Sequence, residues 1–128
     1  MTHPNAVVLE RLFAAFGNDA MAVARGIAED AVWRVGGASS MSGEYRGRDE
    51  ILRFLRETLV LTGGTYRTEL KYVVADDERA VAVYRARGER DGRTIDIDQA
   101  LFCVVREGRL ADVTAVPFDA AAFDAFWA

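Results

Sequence analysis

The sequence predicts an α+β fold in which three N-terminal helices pack on an antiparallel sheet. Three observations carry this. Up to Gly64, most apolar residues recur at the three-to-four spacing of amphipathic helices, and after Gly64 the period changes to two and stays there. The period-two segments are joined by Asp76-Asp77-Glu78, Asp91-Gly92 and Glu107-Gly108, links short enough to allow only antiparallel hairpins. The chain has 128 residues, with no repeat, linker or low-complexity tract, so residues 1–128 form one domain.

Residues 5–17 predict the first helix. Leu9, Leu12, Phe13 and Phe16 fall on one stripe, and Pro4 sits near the first turn, where a missing N–H costs nothing. Gly17 and Asn18 end it. Asp19 can cap a second helix over residues 20–28 that buries Val23, Ala24 and Ile27. Residues 31–35 predict a short strand stopped by Gly36-Gly37. Residues 36–48 hold four of the 11 glycines and three serines, which predicts a loop able to close over something. From Asp49 a third helix runs through Ile51, Leu52, Phe54, Leu55 and Leu59 to Gly63-Gly64.

Four β segments follow, over 66–75, 79–89, 93–106 and 109–118, and Asp119 caps a last helical stub from Ala120 to Trp127. In the third long segment, Ile95, Ile97, Leu101, Cys103 and Val105 share one face. Thr94, Asp96, Asp98, Ala100, Phe102 and Val104 share the other. One face must pack on the helices, and the other is apolar enough to need a cover. A second copy of the same sheet is the simplest cover, so a homodimer is expected, with Ile97, Leu101, Cys103 and Val105 at the seam.

Sixteen basic and 20 acidic side chains give a net charge of −4, which excludes bulk attraction to a nucleic acid. No apolar run reaches the ~18–20 residues that span a bilayer. Residues 1–5 lack a positive charge ahead of an apolar stretch, so no signal peptide and a cytoplasmic location are expected. A lone cysteine, Cys103, excludes an internal disulfide. The lone histidine, His3, lies near the terminus, which argues against histidine metal sites and histidine acid–base catalysis. Residues 36–47 lack a Gly-Lys-Ser/Thr ending and are no nucleotide loop. Neither metal nor cofactor is expected.

Several local patterns together carry a resemblance. They are Phe16-Gly17-Asn18-Asp19, Ala28-Glu29-Asp30-Ala31-Val32-Trp33, Ser42-Gly43-Glu44-Tyr45-Arg46-Gly47-Arg48-Asp49-Glu50-Ile51, Glu107-Gly108-Arg109-Leu110, and Phe118-Asp119 through Phe126-Trp127. On these, over nearly the whole length, the chain resembles the nuclear transport factor 2-like superfamily, in its SnoaL-like branch of polyketide cyclases and ketosteroid isomerase relatives. The resemblance implies a curved sheet wrapping the helices into a cone with an apolar interior and one open mouth. It implies cofactor-free proton transfer on hydrophobic ligands where one or two acids stand in that cone.

The resemblance does not carry an intact acid pair across. The base carboxylate of ketosteroid isomerases lands near Val35, their helix tyrosine in the stretch Arg11 to Phe16, and their protonated acid near Ala100. The polyketide cyclase triplet lands on Val113-Thr114-Ala115-Val116. The limonene epoxide hydrolase residues land near Tyr84, Ala86 and Val116. None of these positions holds the required group.

Asp98 is the candidate catalytic acid. On the face of Ala100, Phe102 and Val104, turned into the cone, it would lose solvation, and its pKa would rise toward neutrality. Near the mouth, or paired with an arginine across the sheet, it would be an ordinary carboxylate. Trp33 can wall the pocket and offer one N–H, or simply fill volume. Phe13, Phe16, Phe54, Ala100 and Phe102 are candidates for the apolar lining, and Tyr72 and Tyr84 for an inward hydroxyl. Arg85, Arg87, Arg90 and Arg93 alternate with Glu89, Asp91, Asp96 and Asp98, which favours a salt-bridged ribbon over an anion site.

The expected function is therefore a small-molecule enzyme. It would perform isomerase, cyclase or hydratase-type chemistry on an apolar, polyketide- or steroid-like ligand. The alternative is a non-catalytic dimeric binding or accessory module on the same fold.

Overall fold

In a computed structural model, which describes residues 2–128, the helices and strands follow the predicted order with one addition, a short strand in the glycine-rich segment. Helix α1 spans Pro4–Ala15, α2 Ala20–Arg25, α3 Arg48–Leu61 and α4 Ala120–Phe126. Strands run β1 Ile27–Val35, β2 Gly43–Arg46, β3 Arg67–Ala75, β4 Arg79–Arg90, β5 Arg93–Arg106 and β6 Arg109–Pro117. Asp19 caps α2 by accepting from the Ala22 N–H, and Asp119 caps α4 by accepting from the Ala122 N–H.

One six-stranded sheet has the order β2-β1-β6-β5-β4-β3. The β4–β5 and β5–β6 turns put Asp91 and Glu107 at φ 49° and 53°, each followed by a glycine at positive φ. Two successive left-handed residues are what a tight hairpin between right-twisted strands requires. Ladder registers shift between Ile27 and Val32, between Leu70 and Tyr72, and between Val104 and Val105. Bulges of this kind bend a sheet, and here the bend wraps it around the helices.

Three sequence expectations need correction. The second helix stops at Arg25, and Ile27, expected on it, opens a β1 that starts four residues early. The cause is tertiary: the Leu110 N–H donates to the Gly26 carbonyl at 2.8 Å, and Ile27 pairs with Leu110. This β1–β6 pair is parallel, an arrangement the four-stranded meander does not contain. Residues 43–46 form β2, antiparallel to β1, where a loop was expected. Four residues with Glu44 and Arg46 exposed are too short and polar to show a period of two.

The faces of the sheet are also exchanged. Ile95, Ile97, Leu101, Cys103 and Val105 are buried in the core against the helices, not at a dimer seam. Thr94, Asp96, Phe102 and Val104 are exposed on the outer face. Alternation alone leaves the choice of face open, because a single shift inverts it. Charge decides it: Asp96 and Asp98 stay ionised at little cost only on the side that meets water. Ala100 lies on this outer row, yet it is covered by its cross-strand neighbours Val83 and Val116.

No helix among the described residues is long and apolar enough to cross a membrane.

Candidate functional site

Between the inner face of the sheet and the helices lies a cavity of about 70 Å³. Helix α1 contributes Leu12, Phe13 and Phe16, one stripe at helical spacing, and α3 faces it with Phe54, Leu55 and Thr58. The sheet supplies Trp33 and Val35 from β1, Tyr84 from β4, Gln99 and Leu101 from β5, and Ala115 from β6. Phe13, Phe16, Phe54 and Leu55 keep partial exposure, which sets the mouth between α1 and α3.

Aromatic contacts fix this wall. The Phe13 and Tyr84 rings lie 4.8 Å apart, Phe16 and Tyr66 6.2 Å, and Trp33 and Phe54 6.1 Å. These separations are those of favourable tilted and edge-on ring pairs.

The far end is closed by the glycine-rich segment and α4. The Ser40 N–H donates to the Trp127 carbonyl at 3.1 Å, and the Ala38 N–H donates to Asp124 Oδ1 at 3.0 Å. Arg90 and Arg93 each donate to the Ala128 carbonyl at 3.1 Å, and Arg90 stands 6.0 Å from the Trp127 ring centroid. Cations at a helix C-terminus oppose its negative end. Met41, Phe123 and Trp127 are thereby held in the cavity wall.

Among the lining residues there is no Asp, Glu, His, Lys or Arg. Polarity comes instead from a small buried cluster. Gln99 Nε2 donates to the Tyr84 hydroxyl at 2.8 Å. Burial pushes the Tyr66 phenol up to about 12, partly offset by the Gln99 side chain nearby. Burial, reinforced by Tyr66, drives Tyr84 well above its ordinary value. Both phenols therefore remain protonated donors at neutral pH. Trp33 Nε1 and Gln99 Oε1 are buried without a hydrogen-bond partner.

Of the residues singled out from sequence, Trp33, Phe13, Phe16, Phe54 and Tyr84 meet in this cavity. Asp98, Tyr72, Ala100 and Phe102 do not. Tyr72 and Phe102 are 56% and 49% exposed on the outer face. Asp98 lies beside them and accepts from Lys71 Nζ at 2.9 Å and from Arg85 at 3.2 Å. The Lys71 hydrogen bond, outweighing partial desolvation and helped by Arg85, holds its carboxyl below the usual range. This is the opposite of the raised acid expected inside a cone. Arg85 and Arg87 also bind Asp96, so half of the arginine cluster is the expected ion-paired ribbon and the other half secures α4. Cys103 is core, its thiol pushed by burial up to about 12.

Sequence reasoning missed Gln99 and Tyr66. Gln99 had a readable signal: it is the polar member of the otherwise apolar inner row Ile95, Ile97, Leu101, Cys103. A buried polar residue in such a row is more informative than an exposed charge. Tyr66 opens the expected 66–75 segment in phase with Tyr72, but the register shift between Leu70 and Tyr72 puts the two on opposite faces.

Comparison with known proteins bears on this geometry. The profile of the SnoaL-like domain matches residues 9–113. An uncharacterized protein of Mycobacterium tuberculosis (strain H37Rv) is 32% identical over 123 residues, covering 94% of each chain. The structure of Bal32a, from a soil-derived mobile gene cassette, superposes with a TM-score of 0.94 at 29% identity, over 98% of this chain and 97% of that one. A protein from Jannaschia sp. CCS1 described as a SnoaL-like polyketide cyclase superposes with a TM-score of 0.79 at 13% identity, over 98% and 92% of the two chains. These similarities place the chain in an enzyme-like or ligand-binding fold. With its six-stranded curved sheet enclosing a helix-capped cavity, the chain belongs to the SnoaL-like domain family and has the nuclear transport factor 2-like fold.

Proposed function

We propose that the protein takes up a neutral, apolar small molecule in the cavity between α1, α3 and the inner sheet face. The observation that supports this most is the absence of any acid, base or cation from the lining residues, the two tyrosines apart. An ionic ligand would leave water there with no counter-charge, whereas apolar surface gains by entering. Rings of Phe13, Phe16 and Phe54 at the mouth suit a flat ring system.

Cofactor-free catalysis is the second reading, favoured by the two protonated phenols. Tyr84 and Tyr66 could polarise a ligand carbonyl and stabilise developing negative charge on its oxygen. An isomerase, cyclase or hydratase built this way would not use Asp98 as its acid.

Assembly belongs to the same proposal. Tyr72, Val74, Phe102, Val104 and Val116 are large apolar side chains left exposed on the outer sheet face. Beside them runs a band with Lys71, Arg85 and Arg87 against Glu69, Asp96 and Asp98. Such a surface is self-complementary in charge, and a second copy of the chain is the occupant that fits it.

Titration with the bicyclic ketone α-tetralone, followed by tryptophan fluorescence, tests the pocket. Both tryptophans line the cavity, so saturable one-to-one quenching is expected, and A115F, which fills the cavity, should abolish it. No response up to the solubility limit of the ketone would overturn the reading.

A further inference from the structure

Trp33 Nε1 and Gln99 Oε1 are buried polar atoms without partners, and both belong to side chains that line the cavity. Folded proteins rarely keep such groups unpaired, because each forfeits the hydrogen bond it had with water. The two are chemically opposite: an indole N–H only donates, and an amide oxygen only accepts. Each also has a defined setting in the sheet. Gln99 lies opposite Tyr84 in the β4–β5 ladder, and its amide nitrogen is engaged by the Tyr84 hydroxyl at 2.8 Å. In this orientation the oxygen is the end of the Gln99 amide left without a partner. Trp33 is held between β1's neighbours and the Phe54 ring, 6.1 Å away.

We infer that the pocket selects a neutral ring compound carrying both a carbonyl oxygen, to accept from Trp33 Nε1, and a hydroxyl, to donate to Gln99 Oε1. This rests on the proposed uptake of an apolar ligand and adds which polar groups that ligand bears. Before binding, ordered water can serve both atoms in a cavity of about 70 Å³. A pure hydrocarbon displaces that water and leaves both atoms unpaired, so it binds poorly for its size. A hydroxy-ketone reproduces the displaced bonds while its rings extend along the apolar wall and out between Phe13, Phe16 and Phe54 at the mouth. An anion is rejected because no lining side chain is cationic.

Isothermal titration calorimetry with tetralin, α-tetralone, the hydroxy-α-tetralone isomers and tetralin carboxylate tests this. The best hydroxy-α-tetralone should bind tighter than α-tetralone, and α-tetralone tighter than tetralin, by about 10-fold per added group. The carboxylate should not bind. W33F should shrink the ratio between α-tetralone and tetralin toward one. Q99M should do the same for the ratio between hydroxy-α-tetralone and α-tetralone, with circular dichroism checking that each variant is folded. The ligand series on the unaltered protein decides even if a variant fails to fold. Equal affinities for tetralin and the hydroxy-ketones would overturn the inference while leaving the apolar pocket standing. Failure of every bicycle to bind would overturn both.

Discussion

Tyr84 and Gln99 are directly opposed on adjacent strands, and the Gln99 amide donates to the Tyr84 hydroxyl at 2.8 Å inside the core. This pair is the polar centre of a mostly apolar cavity, and it leaves the Gln99 oxygen as a buried acceptor without a partner. Y84F keeps the ring packed on Phe13 but leaves the Gln99 amide with neither end paired. Destabilisation of about 1–3 kcal/mol is expected in urea unfolding, with little change in the slope. A neutral substitution would mean that the amide finds another partner.

Asp98 behaves as a surface ion-pair carboxylate. Its folded pKa lies below the ordinary value, chiefly through the Lys71 hydrogen bond. A depressed carboxyl stabilises the fold above the unfolded-state pKa, and that stability is lost as pH falls through the folded value. D98N should therefore flatten the acid limb of a Tm-against-pH curve while leaving α-tetralone binding intact. Side-chain carboxyl shifts followed by NMR give the pKa directly, and a value above the unperturbed ~3.9 would refute this.

Adjacent residues on β5 separate the two faces. Leu101 is 3% exposed and lines the cavity, whereas Phe102 is 49% exposed on the outer face. L101E should unfold the protein by burying an unpaired charge. F102E should leave a folded monomer, weakening the proposed sheet-to-sheet association by roughly 2 kcal/mol or more. Sedimentation velocity distinguishes them, and an unaltered chain that is monomeric at micromolar concentration contradicts the dimer.

Gly37 sits at φ +96°, and a β-carbon there would lie 2.4 Å from Asp124 Oδ1. Asp124 can move aside only by giving up its bond to the Ala38 N–H. G37A should cost about 1–3 kcal/mol and loosen the seam between the glycine-rich segment and α4. Faster amide exchange at Ala38 and Ser40 checks it.

Much of this was legible in the sequence. The switch of period at Gly64 and the Asp91-Gly92 and Glu107-Gly108 turns are local signals, and the hairpins form where they point. Phe13, Phe16, Trp33, Phe54 and Tyr84, read from sequence as candidates for the pocket, all line the cavity. What failed was non-local. The early start of β1 depends on Leu110, far along the chain. The inward face of β5 depends on which side the helices cover, and Asp98 went with the wrong side. Its partner Lys71 is on another strand, so nothing near Asp98 in sequence announced the ion pair.

The central claim is that ligand enters the cavity beside Trp33 and does not engage Asp98. It is tested most directly by following the two indole N–H resonances and the Asp98 carboxyl in NMR spectra during titration with α-tetralone. The account predicts that the Trp33 indole N–H shifts downfield and becomes protected from solvent exchange, while Asp98 and Phe102 on the outer face stay still. Shifts centred on Asp98 and Phe102, with an unmoved Trp33 indole, would contradict it.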